Sequence, residues 1–189
     1  MDTQKDFRDL FRFIILIPHR DALKPIDDYK KKLFAAGYNG AYSFPLASPL
    51  AAVSRPFSLE ELKELGRNIR NLKKVKNGKI LSTSTALAAY GGKFAFFGPA
   101  LNLRINEEIF PKSTGIENLC ILSPPVLCAA LIDPYEKPVS GEEPTISFRA
   151  ASLANLAIRR LDCGSPDYSF EWRIGPHVWL PKGTRENSR

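Results

Sequence analysis

Hydrophobic and polar positions change their spacing several times along the chain, and each change marks an element. Residues 11–17 (Phe-Arg-Phe-Ile-Ile-Leu-Ile) form a short, β-branched apolar run with no clean alternation. That pattern predicts a central strand buried on both faces, closed by Pro18. From Pro25, apolar residues recur at three- and four-residue spacing (Ile26, Tyr29, Leu33, Ala36) before Gly37. This predicts a helix over 25–36 with a proline in its first turn and a glycine stop. Tyr42–Val53 is a second extended stretch, and Pro45 and Pro49 confine it to an edge, a bulge or a bent strand. The next helix has the clearest signature: Ser58 with Glu61 three residues on is a capping box, and Leu59, Leu62, Leu65, Ile69 and Leu72 form one apolar stripe.

After Asn77-Gly78 the period becomes extended. Ile80–Tyr90 and Lys93–Ile105 flank Gly91-Gly92, a two-residue hairpin signal, with Gly98-Pro99 as a break or bulge in the second strand. A polar loop covers 106–117, and Leu119–Ile132 is an apolar extended stretch broken by Pro124-Pro125. Ile146–Leu161 is compatible with a strand or a helix. A strand is favoured because the turn at Cys163–Asp167 joins it to an aromatic strand at Tyr168–Ile174, and a last strand follows at His177–Leu180. The expected fold class is α+β, two-lobed, with mostly antiparallel sheets and two main helices. Ser48-Pro49 and Ser123-Pro124 both lead into small-residue apolar strands, a similarity that fits either chance or a duplicated lobe.

Composition narrows the class. A chain of 189 residues with 44% hydrophobic and 25% charged side chains has ordinary globular make-up, enough for one domain. The expected organisation is a single two-lobed domain over 1–181 and a basic tail over 182–189. No apolar run, Phe13–Ile17 included, approaches the roughly 20 residues of a membrane span, and no signal peptide is visible. Three cysteines without a Cys-x-x-Cys pair fit a reducing, cytoplasmic setting better than a disulfide scaffold or zinc site.

The formal net charge of +7 raises the question of an anionic partner. Residues 58–79 carry +4 and the tail +2, which leaves +1 for the remaining 159 residues. The candidate anion-binding residues are therefore Arg67, Arg70, Lys73 and Lys74; the alternative is a solvated helix face. No aromatic RNA-binding motif or Gly-x-x-Gly loop lies within 58–79 or the tail.

The order of elements resembles the 2H phosphoesterases, the superfamily of bacterial 2′-5′ RNA ligase and the cyclic phosphodiesterases. The resembling features are the apolar strand Phe11–Pro18, the helix at 25–36 with Gly37, the extended stretch Tyr42–Val53, the capped helix, the hairpin at 80–105 and the second candidate motif strand Leu119–Ile132. The resemblance implies a two-lobed fold with a cleft where paired His-x-Thr/Ser motifs act on a phosphodiester, one imidazole as base and one as acid. This sequence departs from that pattern at both positions. Ser43-Phe44-Pro45-Leu46-Ala47-Ser48-Pro49-Leu50 and Ser123-Pro124-Pro125-Val126-Leu127-Cys128 contain no histidine.

The chain's two histidines, His19 and His177, have no second metal ligand at useful spacing. Cys128, in an apolar strand, reads as a small core residue. Asp27-Asp28 and Glu142-Glu143 read as helix-start and solubility placements. No catalytic residue, metal or cofactor is assigned. The expected function is a non-catalytic domain binding a small molecule or a protein, with Ser48, Thr83, Thr85 and Ser123 as cleft-lining candidates. The alternatives are an RNA-binding protein using 58–79 and the tail, with weak RNA or nucleotide affinity, and a phosphodiesterase with non-standard catalytic residues.

Overall fold

A computed structural model of the chain describes residues 10–19, 23–72, 80–82, 84–90, 94–133, 135, 144–148, 151–161 and 169–180. Two helices, α1 (Leu23–Ala35) and α2 (Leu59–Asn71), accompany eleven strands in this part of the chain. The strands are β1 (Leu10–Pro18), β2 (Ser48–Val53), β3 (Ile80–Ser82), β4 (Thr85–Tyr90), β5 (Phe94–Pro99), β6 (Leu119–Ile121), β7 (Ala130–Ile132), β8 (Ile146–Phe148), β9 (Ala151–Leu161), β10 (Ser169–Ile174) and β11 (Val178–Trp179). Every strand pairing among them is antiparallel, so the chain is α+β.

The large sheet has the order β10-β9-β1-β2-β6, with β11 also against β9. A second sheet runs β4-β5-β7, and β3 pairs with β8. Side-chain alternation along β1 explains how these pieces stack. Ile14 and Leu16 point to one face and pack with Leu62, Leu65 and Ile69 of α2. Phe13 and Ile15 point to the other and pack with Ala88 and Phe96 of the second sheet. That sheet's outer face, with Ala95, Phe97, Ala130 and Ile132, is covered by Tyr29 and Leu33 of α1. The layers are helix, sheet, sheet and helix, and the apolar run at 11–17 is two-sided because β1 lies in the middle.

The capping box forms as the sequence predicts: Glu61 N donates to Ser58 Oγ, and Ser58 N donates to Glu61 Oε2. Arg55 clamps the same carboxylate with two bonds, of 2.9 and 2.7 Å. Gly66 faces Leu180 and Leu153, which lets α2 settle close to the sheet. Gly37, at φ +95°, ends α1 through the left-handed region, as a glycine stop does.

Several boundaries differ from the sequence reading. Ile80–Tyr90 is two strands, because Ile80 belongs to the α2-side core and Ala88 to the core between the sheets. One straight strand cannot serve both layers. Lys93–Ile105 stops laddering at Pro99; Leu101, Leu103 and Ile105 remain buried in irregular chain on the α2 side. The hairpin pairs Tyr90 with Phe94, and the Gly91-Gly92 connection lies outside the described residues. The polar loop at 106–117 contains single 3₁₀ turns at Glu107–Ile109, Lys112–Thr114 and Ile116–Asn118. Ile146–Leu161 is strand throughout its described length, as β8 and β9.

β2 is bulged, one of the forms its prolines allow, but it is an interior strand. Ile14 pairs with Ala51 and Ile15 with Pro49, leaving Leu50 as the extra residue beside the proline that cannot donate. The Ser-Pro stretches have different settings: β2 lies between β1 and β6, whereas the chain after Ser123 crosses to the second sheet and pairs with β5 through β7.

Candidate functional site

The sequence-based cleft residues are brought near one another only in part. Leu122 N donates to Leu50 O and Cys128 N to Ala47 O, both at 3.0 Å, so the segment holding Ser123 runs beside β2. Ser48 is fully buried and its hydroxyl has no hydrogen-bond partner, whereas Ser123 is exposed. Thr85 is half-buried on β4, opposite Pro99; Thr83 lies outside the described residues. The space between the sheets is aromatic: Phe13, Phe44 and Phe96 meet edge-on with centroids 5.0–6.5 Å apart.

The basic helix offers less charge than its sequence suggests. Lys63 is committed to Glu60 at 2.7 Å, and burial pushes the Arg70 guanidinium below its usual pKa. Arg67 is exposed. Lys73, Lys74 and the tail lie outside the described residues.

Both histidines have neighbours at one end of the large sheet. The His19 ring lies 4.6 Å from Trp179, and His177 Nδ1 shares a 3.1 Å hydrogen bond with Ser152 Oγ. Ser152 is buried, so this pair presents no accessible nucleophile. No three His, Cys, Asp or Glu residues converge as a metal site among the described residues. Cys128 is fully buried, and desolvation pushes its thiol up to about 12, far from a reactive thiolate.

The arrangement with chemical content is on the α2-side face of the large sheet, beyond the helix itself. β9 pairs Ala157 with Arg12 of β1 on one side and with Arg173 of β10 on the other. Cross-strand partners share a face, so the two arginines flank one alanine. Strand spacing places their Cα atoms about 10 Å apart, within reach of two side chains converging above Ala157. Arg12 is half-buried and Arg173 exposed. Arg12, Pro56, Asn155, Ala157, Arg173 and Gly175 border a depression of about 180 Å³. The wall at Pro56 is pinned, because Asn155 Oδ1 accepts from Phe57 N at 2.7 Å and Asn155 Nδ2 donates to Phe57 O at 2.8 Å.

Charge completes the description. Arg55 spends its guanidinium on Glu61, holding that carboxyl down at about 2, with burial opposing the shift and the Ser58 amide and Ser113 hydroxyl reinforcing it. No ion pair among the described residues engages Arg12 or Arg173 in this way. Arg159, also exposed, continues the row on β9 and pairs in register with Glu171. Two fork-shaped donors over a small, largely apolar floor can grip an oxyanion, and among the described residues no carboxylate or imidazole lines the depression.

Sequence reasoning missed this site because Arg12, Ala157 and Arg173 fall in the nearly neutral remainder of the chain. The available signal was Arg12 itself, a guanidinium inside an apolar central-strand run. Comparison with protein-family models, with curated proteins and with solved structures finds no match for this chain.

Proposed function

We propose that this chain is a non-catalytic binding domain that holds an anionic ligand between Arg12 and Arg173. The observation that carries the reading is the register Arg12–Ala157–Arg173, which sets two guanidiniums, without a carboxylate partner among the described residues, around one small side chain. The 2H-phosphoesterase-like order of elements supports a degenerate relative of that superfamily. The missing motif histidines at 43–50 and 123–128 support the absence of its phosphodiester chemistry. RNA binding through 58–79 has less support, since Lys63 is paired and Arg70 is partly sunk.

Isothermal titration of the protein with inorganic phosphate tests the reading at low salt. Saturable binding that is lost in Arg12→Gln and Arg173→Gln is expected. Absence of binding, or binding indifferent to both substitutions, overturns it. Turnover of a 2′,3′-cyclic nucleotide by pure protein would overturn the non-catalytic part.

A further inference from the structure

We infer that the ligand's anchoring group is a phosphate monoester, a dianion, and that the site discriminates against singly charged phosphodiesters and carboxylates. This rests on the anion-binding reading above and adds the chemical class. The first ground is charge. Two guanidiniums flank Ala157 as its cross-strand partners; the acid on the same face nearby, Glu171, lies two residues along β10 from Arg173 and opposite Arg159, whose own guanidinium balances it. A carboxylate or phosphodiester carries one negative charge and satisfies one fork, leaving the second cation against a bound neutralised pair. A phosphomonoester carries about −1.5 to −2 at pH 7 and three terminal oxygens, enough to accept from two forks at once.

The second ground is size. The depression is about 180 Å³ and half open to solvent. That holds a phosphate and the few atoms attached to it, and falls below the ~300 Å³ at which pockets enclosing drug-sized ligands begin. The rest of the ligand therefore lies outside, above exposed Pro56 and Arg173. A diester inside a chain would have to thread two substituents past this floor, whereas a terminal phosphate enters end-on. The third ground is the floor. Ala157 puts only a methyl group into the depression, and a larger side chain there would occupy the place of the anion.

The experiment compares glycerol 3-phosphate, inorganic phosphate, dimethyl phosphate and acetate by isothermal titration at low ionic strength. An RNA oligonucleotide without a terminal phosphate serves as competitor. Glycerol 3-phosphate is expected to bind at least about tenfold more tightly than dimethyl phosphate or acetate, and more tightly at pH 7.5 than at pH 5, where its second proton returns near pH 6. Inorganic phosphate binding as tightly as the ester would still support the dianion and make free phosphate its source. Ala157→Leu should abolish binding with both arginines retained, and Arg173→Gln, on an exposed position, should weaken it without touching the core. Circular dichroism confirms that each variant folds. Equal affinity for all four anions overturns this inference and leaves the anion-binding reading standing; no binding of any anion overturns both. An unphosphorylated RNA oligomer that displaces the ester assigns the surface to a polymer backbone and also overturns it.

Discussion

Asn155, in the middle of β9, holds Phe57 by both of its main-chain polar groups, accepting from the amide at 2.7 Å and donating to the carbonyl at 2.8 Å. Ninety-eight positions separate these residues. The side-chain amide acts as a short extra strand: it satisfies the backbone just before α2 and fixes the loop carrying Arg55 and Pro56 against the sheet. The N-terminus of α2 and the wall of the arginine site are thus set by one side chain.

Asn155→Ala should cost about 1–3 kcal/mol, because it leaves a partly buried N–H and C=O without partners. For a chain of this length that is a fall of about 2–4 °C in Tm per kcal/mol, measurable by calorimetry. Asn155→Asp should cost more than a simple loss of one bond, since a carboxylate oxygen would then face the Phe57 carbonyl. Equal stability of wild type and both variants would contradict the pinning role.

Stability should fall in acid through the carboxyl of Glu61. Its ordinary pKa of 4.5 is lowered to about 2 in the folded chain. A carboxyl with a lowered folded value stabilises above its unfolded pKa, so this contribution is complete above about pH 5 and is lost as the pH falls through 4.5 toward 2. Arg55 is half exposed, so solvent screening limits the effect to on the order of 1–2 kcal/mol. Denaturant midpoints measured at pH 7, 4 and 3 should show this loss in the wild type and a flatter profile in Arg55→Met.

Gly98 should not accept a side chain. A Cβ there would collide with the Leu127 carbonyl oxygen and the Ala129 nitrogen, both main-chain atoms of the segment hydrogen-bonded to β5. Neither can swing away. Gly98→Ala should destabilise by about 2–3 kcal/mol, at the upper end of overpacking costs. A thermal melt indistinguishable from the wild type would show that the β5–β7 approach is looser than described.

Thiol labelling should separate two of the cysteines. Cys120 is exposed, and Cys128 is buried with its thiol pushed up to about 12. In a Cys163→Ser background, Cys120 should react with an aromatic disulfide reagent at pH 8 at least about 10³-fold faster than Cys128, whose labelling has to wait for the core to open. Comparable rates would mean that the centre of the molecule opens readily.

The local part of the fold was legible because local physics produces it. Ser58 and Glu61 cap α2 within one turn, and the 3.6-residue stripe of α2 faces one core, while that of α1 puts Tyr29 and Leu33 over the second sheet and Ile26 into the α2-side core. Interruptions were harder to place. Ile80–Tyr90 reads as one strand because its residues all favour extended chain, yet it divides where the chain passes from one core layer to another. The alternation of Leu101, Leu103 and Ile105 is real as burial but forms no ladder, since the same periodicity serves any extended chain lying along a core.

By itself, the sequence determined that the chain folds as an α+β domain with two amphipathic helices, a β-branched central strand and antiparallel partners. These follow from spacing and capping, which act over a few residues. Tertiary structure alone decided how the layers stack, that Ser48 is internal, and that Arg12 and Arg173 flank Ala157 on neighbouring strands. Net charge summed along the chain hides such a pair, because strand register, not proximity in sequence, sets which side chains share a surface.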